Sequence, residues 1–302
     1  MPFPYVIIMI YESIVSRRFL DKGWSGDRKY CVQTADGNTC LLRISPQELY
    51  ERRKQEFVRM QEIAKLGIPM CLPVEFGTCE EGVYAIHTWI DGEDADTAIP
   101  KLPKAEQYAY GLEAGRILAK LHTIPVPEGE HDWEGYYTAK TRRKIANYEA
   151  CEFHYEHGEA MLQYLKDNEH LLKNRPITYQ HGDYHIGNMM LGRDGILYVI
   201  DFEKDDFGDP WEEFNRITWS AQAAPEFARG MIDGYFDGQV PQAFWALLAY
   251  YICSNSVGSL PWAIAYGQEE VDTMIRQAGE ILSWYNNMKQ IVPTWYRKEA
   301  TC

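Results

Sequence analysis

Two carboxylates and one carboxamide lie close together in the middle of the chain. The loop His181–Asn188, with the sequence HGDYHIGN, contains Asp183 and ends at Asn188, and Asp201 follows after two apolar runs. Such side chains can accept a proton, orient a hydroxyl group or bind a hard cation. The pattern therefore indicates a catalytic or metal-binding centre. The alternative is a polar loop in which Asp and Asn only form turns.

The two apolar runs, Met189–Arg193 and Ile196–Ile200, are separated by Asp194-Gly195. An Asp-Gly pair between apolar runs predicts a β-hairpin with a two-residue type I′ turn. Symmetric pairing about that turn places Asn188 opposite Asp201, with Cβ atoms about 4.5–5.5 Å apart. An amide oxygen and a carboxylate at that separation can share one Mg²⁺ ion, which prefers oxygen ligands. We therefore expect Asn188 and Asp201 to be metal ligands, and Asp183 to have another role.

The loop, the strand pair and the sequence Asp201-Phe202-Glu203 resemble the catalytic centre of the protein-kinase-like fold. In detail, HGDYHIGN, DFE and the later Gly208-Asp209-Pro210 are similar to the aminoglycoside phosphotransferase family. This resemblance covers nearly the whole chain and implies an α+β fold with two lobes. Residues 1–90 would form a nucleotide-binding lobe, with an antiparallel sheet and one helix. Residues 91–302 would form a larger, mostly helical lobe that carries the catalytic hairpin and binds the substrate.

The resemblance also implies a reaction and roles for the central residues. The family transfers the γ-phosphoryl group of ATP or GTP to a hydroxyl of a small molecule in a magnesium-dependent reaction, by positioning and charge neutralisation. Asp183 would be the base that orients the acceptor hydroxyl, and His181 would brace the loop. Asn188 and Asp201 would bind the magnesium, in agreement with the hairpin argument.

Five residues of the first lobe are implied to bind the nucleotide. Ser25 lies in a turn, Gly23–Gly26, that would cover the phosphates, and Arg43 ends the strand where the family usually has a lysine. A guanidinium can bind phosphate oxygens as a planar fork, although a solvent-facing charge is the alternative. Glu56 would form an ion pair with Arg43. Backbone groups near Thr88 and Ile90, in the segment between the lobes, would bind the base.

A helix is predicted after the Arg43 strand. Ser45-Pro46-Gln47-Glu48 is a capping box with proline at the first helical position, which explains Glu48 structurally. Apolar residues then recur at helical spacing on a face that should point inward. They are Phe57, Met60, Ile63 and Ala64.

Size and composition limit the class of protein. A chain of 302 residues suits two lobes, and its seven cysteines lack metal-type spacing, which favours reduced thiols in the cytoplasm. Phe3–Tyr11 is too short for a membrane span and has no basic residue before it, so we expect a buried strand or helix there. The net charge of −14 argues against nucleic acid as a partner. We expect a monomer that binds neither membrane nor nucleic acid.

The acceptor is the least constrained part of the interpretation. An acidic run follows the metal aspartate, and it consists of Glu203, Asp205, Asp206, Glu212 and Glu213. Such a run in a chain of negative charge favours a cationic hydroxylated substrate, and an aminoglycoside antibiotic is the leading candidate. The alternatives are a macrolide or another small metabolite, in which case the carboxylates cap helices and keep the surface soluble.

Other functional classes have less support. A catalytically silent nucleotide-binding pseudokinase is suggested only by Arg43 and by the few glycines of the first turn. A protein kinase lacks support because no Ala-Pro-Glu sequence follows DFE. A zinc site at His181, Asp183 and His185 has no further His or Cys cluster to complete it.

Overall fold

The computed structural model describes residues 9–21, 26–129 and 131–297. The chain forms two compact units. The N-terminal unit contains the described residues up to Glu93 together with Met190–Glu203, and the C-terminal unit contains Asp94–Met189 and the described residues from Lys204 onward. This division differs from the predicted lobes, residues 1–90 and 91–302, in residues 91–93 and in Met190–Glu203, which both belong to the N-terminal unit. That hairpin is tied to the N-terminal unit because the Val199 N–H donates to the Pro69 carbonyl at 3.0 Å.

The N-terminal unit contains a five-stranded antiparallel sheet with the order β1-β2-β3-β5-β4. Its strands are β1 (Ile14–Leu20), β2 (Arg28–Thr34), β3 (Thr39–Ser45), β4 (Pro73–Cys79) and β5 (Gly82–Thr88). In β3, Leu42 and Ile44 are buried in the core cluster, whereas Arg43 between them points to the other face, as the two-residue period of a strand requires. Lys29 lies opposite Arg43 on β2. The sheet therefore presents these two basic residues together, away from its apolar core.

The predicted helix follows β3, but it begins differently from the prediction. Gln47–Leu49 form a 3₁₀ turn, and helix α1 spans Tyr50–Ala64. The expected capping box is wrong, because the Ser45 hydroxyl donates to Asp27 Oδ1 at 2.7 Å and accepts from Arg53 Nε at 3.0 Å, and no side chain of a described residue caps a backbone N–H of the helix. The inward face is as expected, with Phe57 and Ile63 buried.

The residues before β1 are described only from Met9 onward. Tyr11–Ser13 form a 3₁₀ turn. The predicted strand or helix at Phe3–Tyr11 therefore lies largely outside the described residues.

The central hairpin belongs to a three-stranded sheet with the order β6-β8-β9. Its strands are β6 (Gly92–Asp94), β8 (Met189–Gly192) and β9 (Leu197–Val199), and a separate pair consists of β7 (Thr178–Gln180) and β10 (Asp206–Gly208). The β7–β10 pair is antiparallel, with Asp206 opposite Gln180. Strand β7 ends directly before His181, so this strand pair holds the start of the His181–Asn188 loop next to the segment that follows the hairpin.

The hairpin turn is not the predicted type I′ turn. Gly192 N–H donates to the Ile196 carbonyl and Gly195 N–H to the Gly192 carbonyl, both at 2.9 Å, which is the pattern of a three-residue loop. Only Gly195 of the Asp194-Gly195 pair has a positive φ, at 79°. The Asp194 carboxylate accepts from the Ile196 N–H and the Tyr198 hydroxyl, at 3.0 and 2.8 Å, which stabilises this turn. The pairing is thus shifted by one residue, and the symmetry argument for the two metal ligands is wrong.

The C-terminal unit is mostly helical. Its helices are α2 (Ala95–Ala98), α3 (Lys104–Leu121), α4 (Trp133–Glu149), α5 (Gly158–Asp167), α6 (Ile217–Ala223), α7 (Pro225–Tyr235), α8 (Gln242–Ala263) and α9 (Gln268–Trp284). Helices α3 and α7 pack backbone against backbone at paired glycines. A Cβ atom on Gly111 or Gly115 would overlap the α7 backbone, and one on Gly230 or Gly234 would overlap that of α3. Among the described residues, no helix is long and apolar enough to cross a membrane.

Candidate active site

The loop that carries Asp183 begins with a glycine that no other residue could replace without strain. Gly182 has a φ of 81°, and a Cβ atom there would overlap the carbonyl oxygen of Lys204. A left-handed conformation with a close backbone neighbour is the situation that requires glycine. The glycine of the HGD sequence therefore sets the path of the chain into Asp183.

Glu213 holds the start of this loop by its backbone. Its carboxylate accepts the N–H of His181 at 2.6 Å and that of Gly182 at 3.0 Å. The Glu213 residue is only 2% exposed. The prediction that Glu213 binds substrate is therefore wrong, because a carboxylate buried against two backbone donors anchors the loop instead.

Two further contacts fix the middle of the loop. The buried Tyr184 hydroxyl donates to the Ala114 carbonyl of α3 at 2.7 Å, and the Ile186 N–H donates to the Ser220 hydroxyl of α6 at 3.0 Å. Helix α3 is itself fixed by its glycine contacts with α7. The loop is thus positioned by helices that lie far from it in sequence.

Three basic side chains surround the Asp183 carboxylate. Lys204 Nζ donates to Oδ2 at 2.6 Å, Arg216 Nε lies 2.8 Å from Oδ1, and His185 Nε2 lies 3.5 Å from Oδ1. Burial alone would raise the pKa of Asp183, but the hydrogen bond from His185 and the charges of Arg216 and Lys204 hold that pKa well below its usual range. The carboxylate is therefore ionised at neutral pH and can accept a hydrogen bond from a hydroxyl group.

The two loop histidines have defined tautomers. His181 Nδ1 accepts the Asp183 N–H at 3.3 Å, and His185 Nδ1 accepts the Gly187 N–H at 3.1 Å. Neutral imidazole that accepts at Nδ1 carries its proton on Nε2. His185 therefore directs a proton at Asp183, whereas the fully buried His181 supports the backbone of the loop.

Asn188 ends the 3₁₀ turn Ile186–Asn188 that closes the loop. Its side-chain Nδ2 donates to the Asp183 carbonyl at 2.8 Å. A carbonyl partner fixes the orientation of the amide, which leaves the Asn188 Oδ1 oxygen as a potential cation ligand. Asn188 is thus tied to the backbone of the residue that would orient the acceptor.

Asp201 belongs to the N-terminal unit and follows β9. It is half-buried, and its backbone φ is 68°, a left-handed conformation that few residues other than glycine adopt. A carboxylate and an amide oxygen are the hard donors that Mg²⁺ prefers, so the chemistry of Asn188 and Asp201 fits that ion. Among the described residues, no group of three or more His, Cys, Asp or Glu side chains could hold a metal.

Arg43 lies in an ionic cluster within the N-terminal unit. Its guanidinium pairs with Asp27 at 2.6 Å and with Glu203, and Arg53 of α1 pairs with the same two carboxylates at 2.8 and 3.2 Å. Burial would raise the pKa of Asp27, but the Ser45 hydrogen bond and the two arginine charges hold it below its usual value. In this state Arg43 is bound by carboxylates in the way that it would bind phosphate.

The predicted ion pair between Arg43 and Glu56 does not form. Glu56 pairs instead with Arg52 at 2.9 Å and with Arg53 at 2.6 Å, both on its own helix. A partner three or four residues away on the same helix is within reach without any tertiary constraint. Arg53, which the sequence interpretation missed, connects Glu56 to the cluster around Arg43.

The three other residues predicted to bind nucleotide are Ser25, Thr88 and Ile90. Thr88 ends β5, where its N–H donates to the Leu72 carbonyl at 2.9 Å and its hydroxyl accepts the Leu72 N–H at 2.8 Å. Ile90 is buried just beyond it. Ser25 lies outside the described residues. Base recognition near Thr88 and Ile90 stays a prediction.

Most carboxylates of the acidic run already bind groups of the protein itself. Glu203 pairs with two arginines of the N-terminal unit, and Glu212 accepts from Gln180 Nε2 at 3.2 Å and pairs with Lys140 at 3.6 Å. Asp205 is half-buried, and the exposed Asp206 accepts the N–H of Phe207, its neighbour in β10. Glu203, Glu212 and the buried Glu213 are therefore already engaged by donors of the protein itself.

The residues that sequence reasoning missed are cations. Lys204 and Arg216 contact Asp183, and Lys140 and Lys144 lie on α4 near Glu212. Lys204 directly follows DFE in the sequence, so its position was a usable signal. In the sequence, Lys140 and Lys144 on α4 cannot be distinguished from lysines that face solvent on an ordinary helix.

Comparison with known proteins agrees with this geometry. The model of the phosphotransferase enzyme family matches residues 16–246. Aminoglycoside phosphotransferase APH(4)-Ia has a similar fold, with a TM-score of 0.64 at 15% identity over 90% of this chain and 95% of that one. Macrolide 2′-phosphotransferase MphH from Brachybacterium faecium gives a TM-score of 0.61 at 17% identity over 87% and 91% of the two chains.

A third structure is ADP-bound aminoglycoside phosphotransferase APH(2″)-Ib, with a TM-score of 0.60 at 17% identity over 90% of this chain and 98% of that one. No curated protein matches the chain. The antiparallel N-terminal sheet and helical C-terminal part agree with these kinase-like neighbours, which confirms the predicted fold class. Since the family model covers most of the chain, the protein belongs to the phosphotransferase enzyme family.

Proposed function

We propose that the protein transfers the γ-phosphoryl group of ATP or GTP to a hydroxyl group of a small molecule. The observation that carries this proposal is the Asp183 carboxylate, which is held ionised on a loop fixed by Glu213 and Tyr184. Phosphoryl transfer asks a protein mainly for positioning and charge neutralisation. A rigid, ionised acceptor of a hydroxyl hydrogen bond suits that task.

Asp183 would orient the acceptor hydroxyl and take its proton as the oxygen attacks phosphorus. Its low pKa makes it a weak base in the ground state, so its main contribution is to align the nucleophile. Lys204 and Arg216 keep the carboxylate charged and fix its two oxygens. His181 supports the loop without facing the acceptor.

Asn188 and Asp201 would hold the magnesium ion. When bound, that ion would neutralise charge on the nucleotide phosphates during transfer. Asn188 contributes an amide oxygen that its bond to the Asp183 carbonyl orients. The family resemblance and the chemistry of their oxygen atoms support Asn188 and Asp201 as magnesium ligands. The register of the hairpin does not.

Nucleotide binding would involve Arg43 and its neighbours. The ADP-bound state of the structural neighbour supports a nucleotide co-substrate. Because Arg43 is paired with Glu203 and Asp27, phosphate oxygens would have to replace at least one of these carboxylates. Glu56 would act indirectly, through Arg53, and Ser25, Thr88 and Ile90 keep their predicted roles in phosphate and base binding.

The acceptor is a small hydroxylated molecule, with an aminoglycoside or a macrolide as the first compounds to test. The structural neighbours include enzymes named for both classes. The acidic run that favoured an aminoglycoside is largely engaged in internal contacts, which weakens that preference. The enzyme would act as a monomer in the cytoplasm.

The experiment is a transfer assay with purified protein, MgATP or MgGTP and a panel of aminoglycoside, macrolide and simple sugar acceptors. We expect phosphate transfer to at least one acceptor, with loss of activity when magnesium is chelated. The Asp183→Asn variant serves as the inactive control. Nucleotide binding without transfer to any acceptor, equal in both proteins, would instead indicate a pseudokinase.

A further inference from the structure

Basic side chains outnumber carboxylates around Asp183. We name Lys140, Lys144, Lys204 and Arg216 the basic cluster. All four lie in the C-terminal unit, where they are accompanied by the carboxylates Asp183 and Glu212. In a chain with a net charge of −14, this is a local reversal of sign. It is the opposite of the surroundings that a cationic acceptor requires.

Lys144 is the member of this cluster that lacks a partner. Its side chain is half-buried, and among the described residues no carboxylate forms a salt bridge within 4.0 Å of its Nζ atom. Burial, and then the charge of Lys140, lower the pKa of Lys144 to about 8, with Arg216 and Arg143 acting in the same direction and Glu212 opposing them. A half-buried ammonium group without a counter-charge, beside two further cations, is a favourable partner for an anionic ligand.

The packing of α8 keeps Lys144 in this position. The aliphatic part of its side chain crosses α8 at Gly258, where a Cβ atom would lie 2.8 Å from Lys144 Cε. Any side chain at residue 258 would therefore displace the lysine. The glycine leaves the space through which Lys144 reaches the neighbourhood of Glu212 and Arg216.

The cluster is continuous with Asp183 and open to a ligand. Lys140 and Lys144 are four residues apart on α4 and share one side of the helix. Arg216 links them to the loop, because it contacts Asp183 and its charge acts on Lys144. The side chains of Arg216, Lys140 and Lys204 are 32%, 27% and 58% exposed, so solvent and small ligands can reach them.

We propose that the acceptor carries a phosphate or carboxylate group that binds Lys140, Lys144 and Arg216 while its hydroxyl faces Asp183. This inference rests on the proposed phosphotransferase function and specifies its substrate class. In the transfer step the acceptor oxygen forms a bond to the γ-phosphorus, and the bond from that phosphorus to the β–γ bridging oxygen breaks. The hydroxyl proton passes to Asp183, and the nucleoside diphosphate leaves.

The anion bound by the cluster could in principle come from the acceptor or from the nucleotide phosphates, and kinetics separates the two. The test compares glucosamine, glucose, gluconate and glucose 6-phosphate, which differ chiefly in charge, together with a kanamycin-type aminoglycoside. For the wild type we expect kcat/KM to be at least tenfold higher for an anionic member than for its neutral counterpart. A preference for glucosamine or the aminoglycoside would overturn the proposal.

The variant Lys144→Met is compared with Lys173→Met, which removes an exposed lysine outside the cluster. We expect Lys144→Met to raise the KM for anionic acceptors about tenfold, with no comparable change for glucose. Gly258→Ala should act in the same direction by displacing Lys144. If Lys144→Met raises the KM of the nucleotide instead, the cluster serves nucleotide phosphates and the proposal is wrong.

A binding measurement keeps the test independent of turnover. Lysines are reductively methylated with ¹³C, and the Lys144 resonance is assigned by its absence in Lys144→Arg. Inorganic phosphate and gluconate should shift this resonance in a saturable way, whereas glucose and equal ionic strength of chloride should not. No selective shift would overturn the anion site. A selective shift without phosphoryl transfer to any acceptor would contradict the phosphotransferase proposal and leave the anion site standing.

Discussion

Each unit of the protein contains a buried aspartate that stays ionised, but the surroundings of the two differ in charge balance. In the N-terminal unit, Asp27 is 1% exposed at its side chain and is paired with Arg43 and Arg53. Those two arginines also bind Glu203 and Glu56. Each of these two arginines is thus bound by at least two carboxylates, so both of their charges are neutralised by the protein itself.

In the C-terminal unit, the named cations outnumber the carboxylates that they accompany. Asp183 is paired with Lys204 and Arg216 and approached by His185, and Lys144 nearby has no counter-charge within ion-pair distance in the described part of the chain. The same rule, that a buried carboxylate needs cations, thus produces two different results. The first cluster is closed and structural because its arginines share their carboxylates, whereas the unpaired Lys144 leaves the second cluster with a positive potential that can attract an anion.

The largest expected effect compares the two aspartates directly. Asp183→Asn should lower kcat by about 10²-fold or more, the scale of a lost general base, with little change in nucleotide affinity. Asp27→Asn removes an equally buried carboxylate from the closed cluster and should lower stability instead. Steady-state kinetics and nucleotide binding on both variants provide the measurement. Equal losses of kcat in the two variants would show that Asp183 has no catalytic role that Asp27 lacks.

The next effect concerns Glu213, a buried carboxylate that binds backbone donors rather than an acceptor. Glu213→Ala leaves the N–H groups of His181 and Gly182 without their partner, so we expect the free energy of unfolding to fall by about 2 kcal/mol or more. Urea unfolding measures this change. The control is Glu156→Ala, which removes an exposed carboxylate. Similar curves for both variants would show that Glu213 does not anchor the loop.

A smaller effect is expected from opening the closed cluster. Glu203→Gln removes a negative group that competes with phosphate for Arg43, so nucleotide affinity should increase by roughly two- to fivefold, the size of a partly exposed ion pair. Isothermal titration with the magnesium–nucleotide complex measures it. Asp206→Asn removes the same charge from an exposed residue nearby in sequence and should change little. Unchanged nucleotide affinity in Glu203→Gln would show that Arg43 does not bind the nucleotide.

The smallest effect is a pH dependence that the two clusters share. The pKa values of Asp27 and Asp183 are both lowered on folding. Their stabilisation is therefore fully present above the unfolded pKa of about 3.9 and is lost as the pH falls through the folded values. Unfolding measured from pH 8 to pH 3 should show a loss below about pH 4 that is reduced in Asp27→Asn and Asp183→Asn. Parallel curves for wild type and variants would contradict the pKa shifts.

Local sequence was sufficient wherever the physical cause was local. The strands of the hairpin and the inward face of α1 follow from the spacing of apolar residues, whereas the antiparallel sheet was expected from the resemblance to the family. The buried Phe57 and Ile63 of α1 illustrate this, because their helical spacing alone places them on one face. Even there the sequence could mislead, since Asp194-Gly195 fits both a two-residue turn and the three-residue loop that forms.

The partners of charged side chains were decided by the tertiary structure. Glu56 binds Arg53 and not Arg43, and Glu213 binds the loop backbone. Asp183 meets Arg216 from a distant turn. An ion pair forms only where packing brings two charged side chains within a few ångströms of each other. The type of a charged residue and its spacing in the sequence do not show which partner it will meet. The sequence by itself therefore determined the family and the candidate catalytic loop, whereas the sign of the charge around that loop emerged only when the helices were packed.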